Sequence, residues 1–303
     1  MASAGLLALL SGSAYAAPAG SSAFPDFDFD FGAGYWYSTG GNQNRLYADA
    51  TKAEAVSALH YVDQRTHSGE LYFEADHKSG VFIKGFVGLG GVVTANLFDE
   101  DFPPETTPYS RTLSSVSGNL QYATVDLGYT FVNTMSKSDP DNPGEQTGFK
   151  WGGFVGYNYW HELYNAYGCT QLATSDICAP AEVAPNAKAI TEEDTLNSLR
   201  LGSVVDIAFA PGWKIRGDGA FIVTDQANVD THYFTLGRIP APGHGMGFQL
   251  EGVPTHYFNE HFSVGVGGRW WRLWSAVHLS DSGQLETYNI DSEGSFVRAG
   301  LSY

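Results

Sequence analysis

Two short acidic motifs carry the side chains most suited to chemistry. In Asn228-Val229-Asp230-Thr231-His232-Tyr233, an Asp and a His stand two residues apart after the alternating run from Lys214 to Val223. On extended backbone they project the same way. A carboxylate so placed orients the imidazole and sets which nitrogen carries the proton, as a general base requires. The triplet Asp99-Glu100-Asp101 closes a second alternating run, much earlier in the chain. Two carboxylates of one strand end, close together, share protons and titrate as a unit. The competing reading of all four groups is ordinary solvation at a polar rim.

The composition limits the scaffold that could bring these loops together. The chain has 303 residues with 36 Gly, 14% aromatic residues and only 16% charged residues, against about a quarter charged in soluble domains. No apolar run approaches the roughly 20 residues of a membrane helix. Few charges, many glycines and aromatics, and alternating strands predict an all-β transmembrane barrel rather than a soluble sandwich. The net charge of −17 excludes nucleic acid as a partner, because phosphates require a basic surface.

Met1 to Ala16 has a short apolar core, Leu6 to Leu10, and ends in Ala14-Tyr15-Ala16. It resembles a secretory signal peptide, with residues 17–27 as a linker and 28–303 as the barrel. Cys169 and Cys178, in one polar loop, form a local disulfide in an exported protein. No metal site is expected.

The strands follow from period-two alternation. Val81, Ile83, Val87, Leu89 and Val93 mark one apolar face, opposite Lys84 and small glycines. Ala123, Val125, Leu127, Tyr129 and Phe131 form the next. Loops are expected over Ser38–Asn44, Leu97–Gly118, the disulfide stretch to Leu196, and Asn228–Gly245, and the second strand is expected to break near Ser68-Gly69. The last strand ends on Tyr303. The result is ten antiparallel strands with alternating short turns and long extracellular loops. The tryptophans Trp151, Trp160, Trp270, Trp271 and Trp274 are expected at the membrane interfaces. Arg216, Arg269, Arg272 and Arg298 are expected to pair with inward acids such as Asp218 and Glu293. His60, His67, His77, His256 and His261 have no partner spacing and read as incidental.

With its strands laid out, the chain resembles the omptins, a family of outer-membrane proteases, loosely from Gly32 to Tyr303. Gly34-Tyr35 with Arg45-Leu46-Tyr47 resembles the first strand and loop. Asp99-Glu100-Asp101-Phe102 resembles an Asp-x-Asp-aromatic motif, and Asp230-Thr231-His232-Tyr233 an Asp-x-His-Tyr motif. Gly156-Tyr157 and Ala166-Tyr167-Gly168 fit the fifth strand and its loop. The resemblance implies an endopeptidase of the outer membrane with its site facing outside and no cofactor. Water is deprotonated by His232, which Asp230 orients, while Asp99 and Asp101 bind that water and stabilise the intermediate. Its partners are peptide or protein substrates and outer-membrane lipid, lipopolysaccharide included.

Two departures stand out. The family's acidic pocket positions fall on Asn44 and Asn228, which predicts a preference for neutral side chains over dibasic sites. Its lipopolysaccharide pattern of Tyr, Glu and Arg falls on Tyr157, Tyr159 and His161, which predicts weaker phosphate binding. The alternative is a non-enzymatic barrel, a small channel or structural protein on the same fold.

Overall fold

The computed structural model describes residues 24–102, 109–136, 147–173, 178, 183–234 and 236–303. The leader and nearly all of the linker lie outside them. Ten strands follow in chain order: β1 (Phe27–Tyr47), β2 (Ala55–His77), β3 (Val81–Asp101), β4 (Ser110–Asn133), β5 (Gly148–Gln171), β6 (Lys188–Ala210), β7 (Trp213–His232), β8 (Gly237–Tyr257), β9 (Phe262–His278) and β10 (Leu285–Ser302). Each pairs antiparallel with its neighbours, and β1 closes the ring against β10 from Asp30↔Ser302 to Leu46↔Glu286. No strand edge is left for lipid.

Alternation fixes which face is which. Leu71, Val87, Leu89, Leu127, Val155, Leu199, Leu201, Val223, Leu250 and Val266 stand exposed on the outside. The band they form runs from the short turns upward and stops well below the far strand ends. Gly80 and Gly212 supply the left-handed backbone of two short turns, with φ of 95° and 72°.

The strands are longer at the far end than alternation predicts. β1 continues through the expected first loop, β3 carries the acidic triplet, β6 begins at Lys188 inside the expected disulfide loop, and β7 reaches His232 before a tight turn into β8. Above the apolar band both faces are polar, so the period-two signal fades although the ladder continues. The expected break at Ser68-Gly69 is absent. β2 instead shifts register between Val62 and Thr66, level with irregularities at Gly40–Asn42 in β1 and Val92–Ala95 in β3. Cys169 and Cys178 are disulfide-bonded, with Cα atoms 5.7 Å apart.

The lumen is filled in two layers. Trp36, Tyr122, Trp160 and Trp271 reach in from β1, β4, β5 and β9 and pack together, Trp36 edge to face on Tyr122, Tyr122 stacked on Trp160 and Trp160 tilted against Trp271, with successive ring centroids 5.5, 5.5 and 5.4 Å apart. Gly88 leaves the room this needs, since a Cβ there would lie 2.1 Å from the Tyr122 ring. Trp160 and Trp271 are therefore core residues, 2% and 3% exposed, and not interfacial anchors. Trp151 and Trp274 do face outward.

Beneath the aromatic layer the interior is charged and matched. Lys84 lies 2.7 Å from Asp218 and 3.7 Å from Asp126, and Arg200 lies 3.2 Å from Asp126. Arg216 bridges Asp206 and Glu74, and Arg298 lies 3.6 Å from Glu251. Arg269 reaches Glu70 at 2.7 Å and Glu251 at 2.6 Å, with its guanidinium over the Phe86 ring. Arg272 departs from the expected set, because it stacks on Trp274. Glu293 is exposed on the outer face.

Removing one partner of a buried pair leaves an uncompensated charge, at a cost of about 3–5 kcal/mol. Arg269→Ala is expected to lose about that much. Urea unfolding of the barrel in lipid vesicles measures it, and a loss below about 1 kcal/mol contradicts the pairing.

Candidate active site

His232 is the last residue of β7, pairing with Gly237 across the turn, where φ of 74° suits glycine. Asp230 lies two residues earlier on the same face. His232 Nε2 donates to Asp230 Oδ2 over 2.6 Å. That bond spends one ring nitrogen and leaves Nδ1 to accept a proton. Both side chains are mostly covered but reach solvent, at 18% and 17% exposure.

The acidic triplet ends β3, and alternation splits it. Glu100 turns outward to Arg111 at 3.0 Å and His60 at 3.9 Å. Asp99 and Asp101 occupy the other face. Each of them feels the His232 imidazole electrostatically, and His232 feels both. The two motifs, on strands four apart in the ring, thus share one field at the barrel mouth.

The titration of these groups follows from that field. Burial, then the charge of Asp101, pushes Asp99 up to about 7. Burial raises Asp101 as well, against the opposing pull of His232. Burial alone would lower His232, but the hydrogen bond and charge of Asp230, with Asp99 and Asp101 behind them, raise it above its ordinary value. A proton is therefore held among carboxylates and imidazole near neutrality, where water activation needs it.

The two amides of the expected pocket lie directly below. Asn44 and Asn228 are buried, at 1% and 2% exposure. Both turn onto carboxylates of β6, in the stretch expected as the disulfide loop. Asn44 Nδ2 donates to Glu192, and Asn228 Nδ2 donates to Asp194 over 3.1 Å and to Glu192 over 3.4 Å. In register, Glu192 pairs with Asp230 and Asp194 with Asn228. A further acid, Glu286 on β10, accepts from the Tyr288 hydroxyl at 3.0 Å. Burial, then Asp230, pushes Glu286 up to about 8.

Ile190, Glu192, Asp194 and Leu196 share one parity and one face. That alternation was the available signal for the missed acids, masked by the neighbouring polar residues. Tyr157, Tyr159 and His161 form a row on the outer face of β5, away from the mouth. Tyr159 and His161 stack at 6.4 Å, and His161 meets Thr195 at 3.0 Å.

No protein-family model matches the chain, and no curated protein sequence matches it. Among solved structures it is similar to the outer membrane protease OmpT from Escherichia coli, with a TM-score of 0.66 and 13% identity over 91% of this chain and 96% of that one. It is more distantly similar to a Pseudomonas aeruginosa FadL homologue, with a TM-score of 0.31 and 9% identity over 92% of this chain and 90% of that one. The Ralstonia pickettii toluene transporter TbuX gives a TM-score of 0.27 at 9% identity, over 92% of this chain and 90% of that one. The first likeness supports an omptin-like outer-membrane barrel fold.

Because Asp99 is raised in the folded barrel, its ionisation opposes folding. The penalty is absent below the unfolded carboxylate range and grows as pH rises through about 7. Asp99→Asn is therefore expected to raise stability at pH 8 and leave it nearly unchanged at pH 3. Denaturation midpoints at the two pH values check this, and equal effects at both contradict it.

Proposed function

We propose that the chain is an omptin-like outer-membrane endopeptidase, hydrolysing peptide bonds at the cell surface with a water activated by His232. The observation that carries this reading is the Asp230–His232 hydrogen bond, set in one electrostatic field with Asp99 and Asp101. The water sits between the two pairs. His232 Nδ1 takes its proton while the oxygen bonds to the peptide carbonyl carbon. Asp230 keeps the Nε2 proton in place and stabilises the imidazolium. Asp99 in its neutral form donates to the developing oxyanion, where a preorganised donor is worth most. Collapse breaks the C–N bond, and His232 returns its proton to the leaving amine.

The second reading, a non-enzymatic barrel, has its specific form in a channel. The aromatic layer of Trp36, Tyr122, Trp160 and Trp271 weighs against that form, since these side chains fill the lumen beneath the mouth. A structural role stays as the alternative to the protease.

For side-chain preference, the amides Asn44 and Asn228 remain the pocket groups. Acids do stand behind them, but Glu192 and Asp194 are each 0% exposed and capped by amide donors. A neutral substrate side chain is therefore favoured. On the outer face, the Tyr157, Tyr159 and His161 row offers stacking and a weak donor to lipid, with lipopolysaccharide phosphate held less firmly than by a guanidinium.

A peptide-library digest by refolded barrel with lipopolysaccharide, read by mass spectrometry, is expected to give cleavage that His232→Ala lowers by about 10²–10⁴. No cleavage from a folded barrel favours the structural role. Within the library, Ala-Ala peptides are expected to be cut faster than Arg-Arg peptides. The reverse order means that Glu192 and Asp194 open to the mouth.

A further inference from the structure

A large apolar side chain in this barrel has two ordinary places, the lumen and the lipid face. Tyr233, Phe234 and Leu236 are in neither. They belong to the turn that follows His232 and are 52%, 61% and 71% exposed. A lone exposed leucine is unremarkable on a protein surface, but large apolar side chains gathered on one tip mark a contact surface.

The bilayer does not cover them. On β7 the apolar band ends at Val223, whose cross-strand partner is Met246. The next outward pair up the ladder is Asp225 with His244, 2.6 Å apart and open to water. From Val223 to His232 the strand climbs roughly 20 Å at the usual rise and tilt. Other turns at this end of the barrel are polar. Residues 48–54 carry Asp49, Lys52 and Glu54, residues 279–284 carry Asp281, and neither turn exposes a large apolar side chain.

The apolar turn is also anchored. The Tyr233 N–H donates to the Ala189 carbonyl over 3.0 Å, and its hydroxyl meets Thr191 Oγ1 at 3.2 Å. Lys188 Nζ lies 5.8 Å from the centre of its ring. Gly237, with φ of 74°, closes the turn opposite His232. Ends held in this way present the side chains between them with less ordering cost on binding than a free loop has.

Position selects the occupant. A peptide that offers its carbonyl to the water beside His232 lies across the mouth, and the chain leaving on this side crosses the turn. Phe234 stands two residues beyond His232. At ~3.3–3.6 Å per extended residue, the turn meets side chains roughly two or three positions from the cut bond. Asp99, Asp101 and Asp230 read charge at the mouth, so the turn adds a selection that those carboxylates do not make.

We infer that Phe234 and Leu236, mounted on Tyr233, form an apolar subsite for a large apolar side chain about two or three residues from the cut bond. The inference rests on the endopeptidase reading, and its test separates the two.

Refolded full-length barrel is given paired peptides that carry leucine or serine at each position near the cut bond. Wild type is expected to prefer leucine about tenfold in kcat/KM at one such position, mainly through KM. Phe234→Ser combined with Leu236→Ser is expected to bring that ratio close to one, whereas Phe234→Leu retains most of it. Labelled forms of the same peptides are then titrated by fluorescence anisotropy against His232→Ala barrel, which requires no hydrolysis. There the leucine peptide is expected to bind about tenfold tighter than the serine peptide, and the two serine substitutions to remove the difference.

Cleavage without an apolar preference, or with one that survives both serine substitutions, overturns the subsite and leaves the protease standing. A folded wild type that cuts nothing ends the protease reading, and the titration then decides the subsite alone. Equal binding of the two peptides overturns it there. Attachment of the barrel to phosphatidylcholine vesicles through the same two side chains, without peptide preference, also overturns it, by showing a surface built for a second membrane.

Discussion

Backbone amides that face hydrocarbon have no water to bond, and every other feature of this molecule follows from how that constraint is met. Ten antiparallel strands close on themselves through β1 and β10, so each ladder is complete. Closure makes an interior, and an interior of this size must be filled. Lower down, it is filled by ion pairs such as Arg269 with Glu70 and Glu251. Midway, it is filled by stacked aromatic rings. Near the top it is filled by a second apolar cluster that includes Tyr61, Leu97, Tyr164 and Ile190, and the strand ends above it hold the acids and His232 at the mouth.

This division of labour explains why the site can be acidic at all. A carboxylate cluster inside a bilayer-depth core would need cations, as the lower layer shows. Placed at the mouth, Asp99, Asp101 and Asp230 reach solvent in part and share a field with His232. Burial and the charge of Asp101 then push Asp99 up to about 7, while the neighbouring carboxylates raise His232 against its own burial. The strand ends set their spacing. His232 lies where β7 turns, and Asp99 and Asp101 lie where β3 ends. The omptin-like fold and the two motifs thus support one another, although the likeness to solved structures speaks to the fold alone.

Much of this was legible in the residues, and the failures have physical causes. Alternation located all ten strands where one face meets lipid, because apolar and polar residues must there alternate. It lost the upper strand halves, where both faces are polar, and so placed Glu192 and Asp194 in a loop. Residue type misplaced Trp160 and Trp271, since tryptophan suits both interfaces and cores. Parity would have placed them, for Trp160 shares its face with Glu162 and Trp271 shares its face with Arg269. The catalytic candidates were found because Asp-x-His and Asp-x-Asp are themselves period-two patterns. The expected pairing of Glu293 failed because that residue lies on the outer face.

The central claim is that the ends of β3 and β7 act on one water as a unit. A double-mutant cycle on peptide cleavage measures this directly, with Asp99→Ala, His232→Ala and the double variant compared by kcat/KM. If the two rims share a reaction, the double variant loses scarcely more than the worse single one. Losses that multiply independently, or a folded wild-type barrel that cuts nothing, contradict it.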